Sequence, residues 1–336
     1  MMAASTYEGI MADLKARKFA PVYLLQGDEP YFIDQIASYI EKNALNDDEK
    51  TFNQTVVYGK DIDVPNLDNL AKRFPMMAEH QVVIVKEAQD MKKIDDLVFY
   101  VQKPQKTTIL VLCHKYKELD KRKKLAAAIE KAGVVFTSKK LYDNKIPSWA
   151  ESYIKEKGYT IDPVALRLLT DYLGTDLSKI ANEVDKLAIA LPSGSKISPA
   201  NIQDNIGISK DYNNFELQNA IGSGDVLKAA RIVDHFSKNQ KDNPLVLTIT
   251  ALYGYFCKLL IFNQHIRDDA KTQAAALGCN PFFLKDYATA QKRFPAPKVI
   301  KAISLLREYD LKSKGVGNSS TDPGALLQEL VYKIMH

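Results

Sequence analysis

The chain has 336 residues, of which 46% are hydrophobic and 26% charged, and a formal net charge of +5. That length calls for two or three domains, and that balance excludes a disordered or fibrous chain and supplies a sizeable core. The mild basic excess is compatible with contact to nucleic acid without requiring it, because lysine-rich solvated faces give the same sum. Cys113, Cys257 and Cys279 are far apart and form no CxxC pair. Neither a disulfide framework nor a zinc site is expected, and a reduced, cytoplasmic location is. No basic segment followed by an apolar core opens the chain, so no signal peptide is read. The run from Leu245 to Phe256 reads as too short and too hydroxylated to span a bilayer, so no membrane partner is expected.

In chain order, residues 1–20 predict one amphipathic helix with Ile10, Leu14 and Phe19 inward. A buried strand over 22–26 and a helix over 30–43 follow. Alternation from Thr51 to Tyr58 predicts a second strand ending at Gly59, and Asp63 or Pro65 starts a helix reaching about Phe74. Gln81 to Val85 and Thr107 to Cys113 are apolar runs of the kind buried on both faces of a sheet. Helices over 97–101 and 125–131 and a fifth strand over 134–137 complete an alternation that predicts a parallel five-stranded α/β sheet covered on both sides. After Lys140 long strand-like runs disappear. Helices are predicted over 146–157, 162–173 and 176–191, a turn at 192–195, and a short helix from Ser198-Pro199. From Phe215 onward the pattern is helical throughout, over 215–221, 226–236, 244–265, 281–294, 297–312 and 323–335.

The stretch from Val22 to Asp34 is the chemically suggestive one. A strand breaks at Gly27 and turns into a helix with Pro30 in its first turn, which is the geometry of a phosphate-binding corner. A P-loop counted from Gly27 requires Gly, Lys and Ser/Thr at its last three places; here they are Phe32, Ile33 and Asp34. The third strand ends in Lys86-Glu87, and Lys86 stands where P-loop ATPases place the magnesium-holding aspartate; a lysine repels a cation. The corner is therefore expected to be degenerate, with no cofactor and no metal. Glu87 reads as a solvent-facing or capping carboxylate.

The five histidines show no metal-ligand spacing. His114, following a buried strand, reads as hydrogen-bonded at a strand end, with a polar sensor as the functional alternative. No Gly-x-Ser-x-Gly elbow and no paired catalytic carboxylates are present. The basic run Lys115 to Lys124 is interrupted by acids and reads as a solvated face, with phosphate-backbone contact as the alternative. More unusual is Lys72-Arg73-Phe74-Pro75-Met76-Met77-Ala78-Glu79-His80. Pro75 breaks the helix and turns Phe74, Met76 and Met77 outward, and exposed Met and aromatic clusters are adaptable binding surfaces. Core cover is the plainer reading.

Three segments carry a resemblance. Pro21 to Tyr31 is similar to a strand-corner signature, Leu173 to Leu187 to a helix pair of a lid domain, and Asn214 to Ile221 to the start of a collar domain. Together they resemble the delta subunit family of bacterial DNA polymerase III clamp loaders, degenerate relatives of AAA+ ATPases, over essentially the whole length. The resemblance implies an AAA+-like α/β core over 1–141 that binds the clamp, a three-helix lid domain over 142–208 and an all-α collar over 209–336 that oligomerises. It implies a non-catalytic subunit that binds the sliding clamp (beta) and helps open it, beside the tau/gamma ATPases and delta prime, at primer-template DNA. By position it places the clamp contacts on Phe74, Met76 and Met77. Two other function classes remain open: a P-loop-derived nucleotidase, told apart by nucleotide binding, and a non-catalytic DNA-binding scaffold, told apart by DNA affinity without a clamp.

Overall fold

The computed structural model describes residues 6–120, 122–207, 209, 211–318 and 320–336. The chain divides into two compact units, residues 1–141 and 142–336. The start of the expected first helix, Lys121 of the basic run, and Ile208 at the expected lid-collar boundary lie outside the described residues.

The first unit runs α1 (Tyr7–Lys15), β1 (Val22–Gly27), α2 (Pro30–Asn43), α3 (Asp47–Asn53), β2 (Gln54–Tyr58), α4 (Val64–Ala71), β3 (Gln81–Lys86), α5 (Val98–Gln102), β4 (Thr108–Lys115), α6 (Lys124–Ala132) and β5 (Val134–Ser138). The five strands form one parallel sheet in the order β2-β3-β4-β1-β5. Strand side chains alternate between faces, and both faces are covered. Val22, Leu24, Val83, Val85, Leu110 and Leu112 pack with Leu67 of α4, Val101 of α5 and Leu125 and Ile129 of α6. Tyr23, Leu25, Val82, Ile84, Ile109 and Val111 pack on the other side with Ile10 and Leu14 of α1 and Ile33, Ile36 and Ile40 of α2. Burying each such side chain contributes about 1.5–3 kcal/mol, which is why the β-branched runs occupy the sheet centre.

Two expectations for this unit are corrected. The segment from Asp47 to Asn53 is helical, and the strand begins only at Gln54. Asn46 and Glu49 form a reciprocal capping box, Glu49 N–H to Asn46 and Asn46 N–H to Glu49, each at 2.9 Å, and this local satisfaction of end amides outweighs the alternation. Helix α4 stops at Ala71 rather than near Phe74.

The second unit runs α7 (Ile146–Glu156), β6 (Thr160–Ile161), α8 (Pro163–Leu173), α9 (Leu177–Ala190), β7 (Lys196–Ile197), α10 (Pro199–Ile206), α11 (Asn214–Ser223), α12 (Val226–Lys238), α13 (Leu245–Gln264), α14 (Ala270–Leu277), α15 (Leu284–Arg293), α16 (Ala296–Ser313) and α17 (Pro323–Met335). The short β6 and β7 pair in parallel. Asp162, Asp176 and Ser198 cap α8, α9 and α10 with their side chains, as the start signals predict. One core joins Phe215, Phe236, Leu252, Phe256, Leu259, Tyr287, Leu306, Tyr309 and Leu330. Arg167 of α8 stacks its guanidinium 4.1 Å from the Phe215 ring and 5.0 Å from Phe283, and donates to Gln218 Oε1 at 2.6 Å. It thereby ties α8 to α11. Helix α13 also corrects a reading: at 20 residues it is long and apolar enough to cross a membrane. Its apolar run continues past Phe256 with Lys258 as the one charge, and Leu252, Phe256, Leu259 and Phe262 are buried in the core of this unit.

Candidate functional site

The corner after β1 is closed. Gly27 has φ of +120°, and a Cβ there would lie 2.0 Å from the Ser138 carbonyl oxygen, so the glycine is required by the approach of β5. Only Asp28 and Glu29 separate the strand from α2. Buried Glu29 caps that helix, accepting from the Tyr31 N–H at 3.1 Å. A helix N-terminus binds an anion through free amides, and here the chain's own carboxylate takes one. The positions counted as a P-loop are therefore not a loop. Phe32, Ile33 and Asp34 lie inside α2, and Ile33 is fully buried in the core under the sheet.

The charged groups at this corner hold each other. Lys115, at the end of β4, sets its Nζ 2.8 Å from Asp34 Oδ1 and 3.1 Å from Glu87 Oε1. Its backbone N–H donates to Gln89 Oε1 at 2.9 Å. Burial works against the charge on Lys115, but its hydrogen bonds to Asp34 and Glu87 outweigh that and raise its pKa. Burial likewise opposes the Glu87 charge, and hydrogen bonds from Gln89 and Lys115 outweigh it, lowering the carboxyl below its ordinary value. Glu87 is thus an ion-pair partner rather than a solvent-facing or capping group; its backbone is left-handed (φ 51°) and its side chain caps nothing. Lys86 faces Glu41 of α2 at 3.3 Å.

Further along β4, His114 is buried with Nδ1 2.9 Å from the Lys117 carbonyl oxygen, the strand-end role expected of it. Of the basic run, Lys115 turns to Asp34 and Glu87, Arg122 pairs with Asp120 at 2.8 Å, and Lys123 with Asp95 at 2.6 Å.

The turn between α4 and β3 is the reverse case: its side chains are free and its backbone is held. Phe74, Met76 and Met77 are 77%, 62% and 101% exposed. Met77 has φ of +53°, a left-handed conformation that costs a non-glycine residue roughly 1–2 kcal/mol. The last carbonyls of α4 are tied down: Gln81 Nε2 donates to Leu70 O at 2.9 Å, and Thr108 Oγ1 to Ala71 O at 2.8 Å. In the middle of the turn, the Met76 N–H donates to Asn53 Oδ1 at 2.6 Å, and Asn53 Nδ2 donates back to Met76 O at 2.9 Å. Lys72 is engaged by Asp68 at 2.8 Å. Phe52, next to Asn53 in α3, is 69% exposed and escaped the sequence reading. The Asn46 and Glu49 capping box was the signal that would have placed it on a helix end.

A parallel sheet with this strand order, a strand-glycine-helix corner closed by the chain's own groups, and a helical remainder define an AAA+-like fold. Residues 23–139 match the family model for the DNA polymerase III delta subunit. The DNA polymerase III subunit delta of Bacillus subtilis (strain 168) is 26% identical over 321 residues, 91% of each chain. The solved Bacillus subtilis DNA clamp loader delta protein shares the fold with a TM-score of 0.55, at 23% identity over 98% of this chain and 99% of its own. The chain is thus similar to DNA polymerase III delta subunits, the family that the sequence resembles.

Proposed function

We propose that this chain is the delta subunit of a DNA polymerase III clamp loader, working in the cytoplasm on the sliding clamp. Residues 1–141 form the clamp-binding core, 142–208 the lid and 209–336 the collar through which it assembles with the tau/gamma ATPases and delta prime. It hydrolyses no nucleotide itself; the ATPases drive the cycle that places the ring on primer-template DNA.

One observation carries this reading: an apolar turn, Phe74, Met76 and Met77, stands out into solvent on a backbone fixed from three sides. Large apolar side chains held in the open are an unfavourable arrangement unless a partner covers them. The closed corner supports a subunit that uses the AAA+ fold without its chemistry. The test is a pull-down of the full chain with the sliding clamp of the same organism, followed by loading onto primed DNA with the ATPase subunits. Capture and loading that depend on this chain support the proposal. Absence of any clamp capture overturns it.

A further inference from the structure

We propose that Asn53 is the positioning residue of the clamp-contacting turn, an inference that rests on the clamp-binding reading above. Asn53 is a buried polar residue, 2% exposed. Its amide accepts from the N–H and donates to the C=O of one residue, Met76, at 2.6 and 2.9 Å. Its second Nδ2 hydrogen goes to Glu49 O at 3.1 Å, within its own helix. This pattern fixes the orientation of the amide, since a flip would set Oδ1 against two carbonyl oxygens. It also specifies asparagine. Aspartate has the same size but cannot donate, so two acceptors would face a carboxylate; glutamine overreaches by a methylene.

The residue so gripped lies between Phe74 and the left-handed Met77, and 23 residues separate Asn53 from it in sequence. The clamp of Asn53 on Met76 therefore sets where all three apolar side chains project. A turn ordered before encounter avoids the entropy cost that a mobile one pays on association. Asn53 touches no partner itself and acts through Met76.

The experiment compares the full chain with Asn53→Asp, with Met76→Ala/Met77→Ala, and with all three changes together. Amide hydrogen exchange over residues 74–78 and affinity for the sliding clamp are read in each. Asn53→Asp is expected to speed exchange of that segment and weaken clamp binding by about tenfold. In the background lacking both methionines its effect should shrink to what Phe74 still carries, well below tenfold, because a residue acting only through the turn is non-additive with it. Unchanged exchange, or an undiminished loss of affinity in the methionine-free background, overturns the proposal. If Asn53→Asp does not fold, Asn53→Ala removes the same bonds without adding charge and is read by the same criteria. A parent chain that binds no clamp sinks the clamp-binding reading, while the exchange measurement still decides whether Asn53 orders the turn.

Discussion

Lys115 Nζ lies 2.8 Å from Asp34 Oδ1, an ion pair spanning 81 residues of sequence that joins the end of β4 to α2. Glu87 is a second carboxylate on the same ammonium, so one lysine holds both acids at this corner. Phosphoryl transfer depends on electrostatic stabilisation of the moving group by lysine, metal and oriented amides; here the lysine is held by two carboxylates and Glu29 takes the Tyr31 amide at the start of α2.

The purified chain is therefore expected to show no magnesium-dependent ATP turnover, and calorimetric titration should give no ATP binding. Restoring the motif lysine by Ile33→Lys should not create either. It should instead destabilise the chain by on the order of 3 kcal/mol or more, because that position is wholly buried among isoleucines and an unpaired charge there has no partner. Turnover by the parent chain, abolished by substituting Gly27, is the contrary result.

The buried His114 sets a pH dependence. Burial lowers its pKa from the ordinary 6.5, partly offset by its bond to the Lys117 carbonyl. The folded chain then resists a proton that the unfolded chain accepts. Stability from this group is complete above the ordinary histidine pKa and is lost as pH falls from there through the lower folded value. Urea midpoints should drop between neutral and mildly acid pH, and His114→Gln should flatten that slope. An identical slope in the variant would remove His114 as the cause.

Helix α13 leaves Val246, Leu247 and Tyr253 exposed at 41%, 61% and 49%, outside the stripe of its buried Leu252, Phe256 and Leu259. An apolar helix needs burial on several sides, and the proposed collar partners would supply the missing one. Leu247→Glu with Tyr253→Glu is expected to leave the melting temperature within a degree or two, as exposed sites usually contribute within about 0.5 kcal/mol. The same pair should reduce co-purification with the ATPase subunits. Undiminished co-purification would place the assembly surface elsewhere.

The parts of the fold that were legible in sequence rest on local physics. Apolar runs at 81–85 and 107–113 had only a sheet interior to go to, and proline-led starts at Pro30, Pro163 and Pro323 fix helix beginnings that hold in the structure. Core cover is the plainer sequence reading of Phe74, Met76 and Met77, yet they are exposed, and α4 ends at Ala71, before Pro75 can break it. The misread stretches are ones where a helix-end cap is the stronger local signal. The alternation of 51–58 hides a helix that the Asn46 and Glu49 capping box starts, and no helix is predicted at α14 although Asp269 caps it, accepting from the N–H of Lys271 and Thr272 at 2.9 Å each. A P-loop register ran into residues that Pro30 had already committed to a helix. The roles of Lys115, Gln81 and Asn53 were not legible, because each depends on a partner brought close only by the sheet.

The turn itself gives the most direct prediction. Met76→Ala with Met77→Ala removes two side chains that are 62% and 101% exposed, so the free chain loses little packing and should melt close to the parent. If these side chains are the anchors in a pocket of the ring, truncation costs about 2 kcal/mol or more, which is roughly thirtyfold in affinity. Phe74→Ala alone should act in the same direction. Arg73, exposed beside the turn, belongs to the polar rim, so Arg73→Ala should mainly slow association and reduce its salt dependence. Lys72 is already paired with Asp68, so its substitution should matter less than that of Arg73. To open a ring, the turn must bind the open form more tightly than the closed one, since equal affinity shifts nothing. Loading onto primed DNA should accordingly fall at least as far as binding does. A folded double variant that captures the clamp as tightly as the parent would show that the contact lies on another surface.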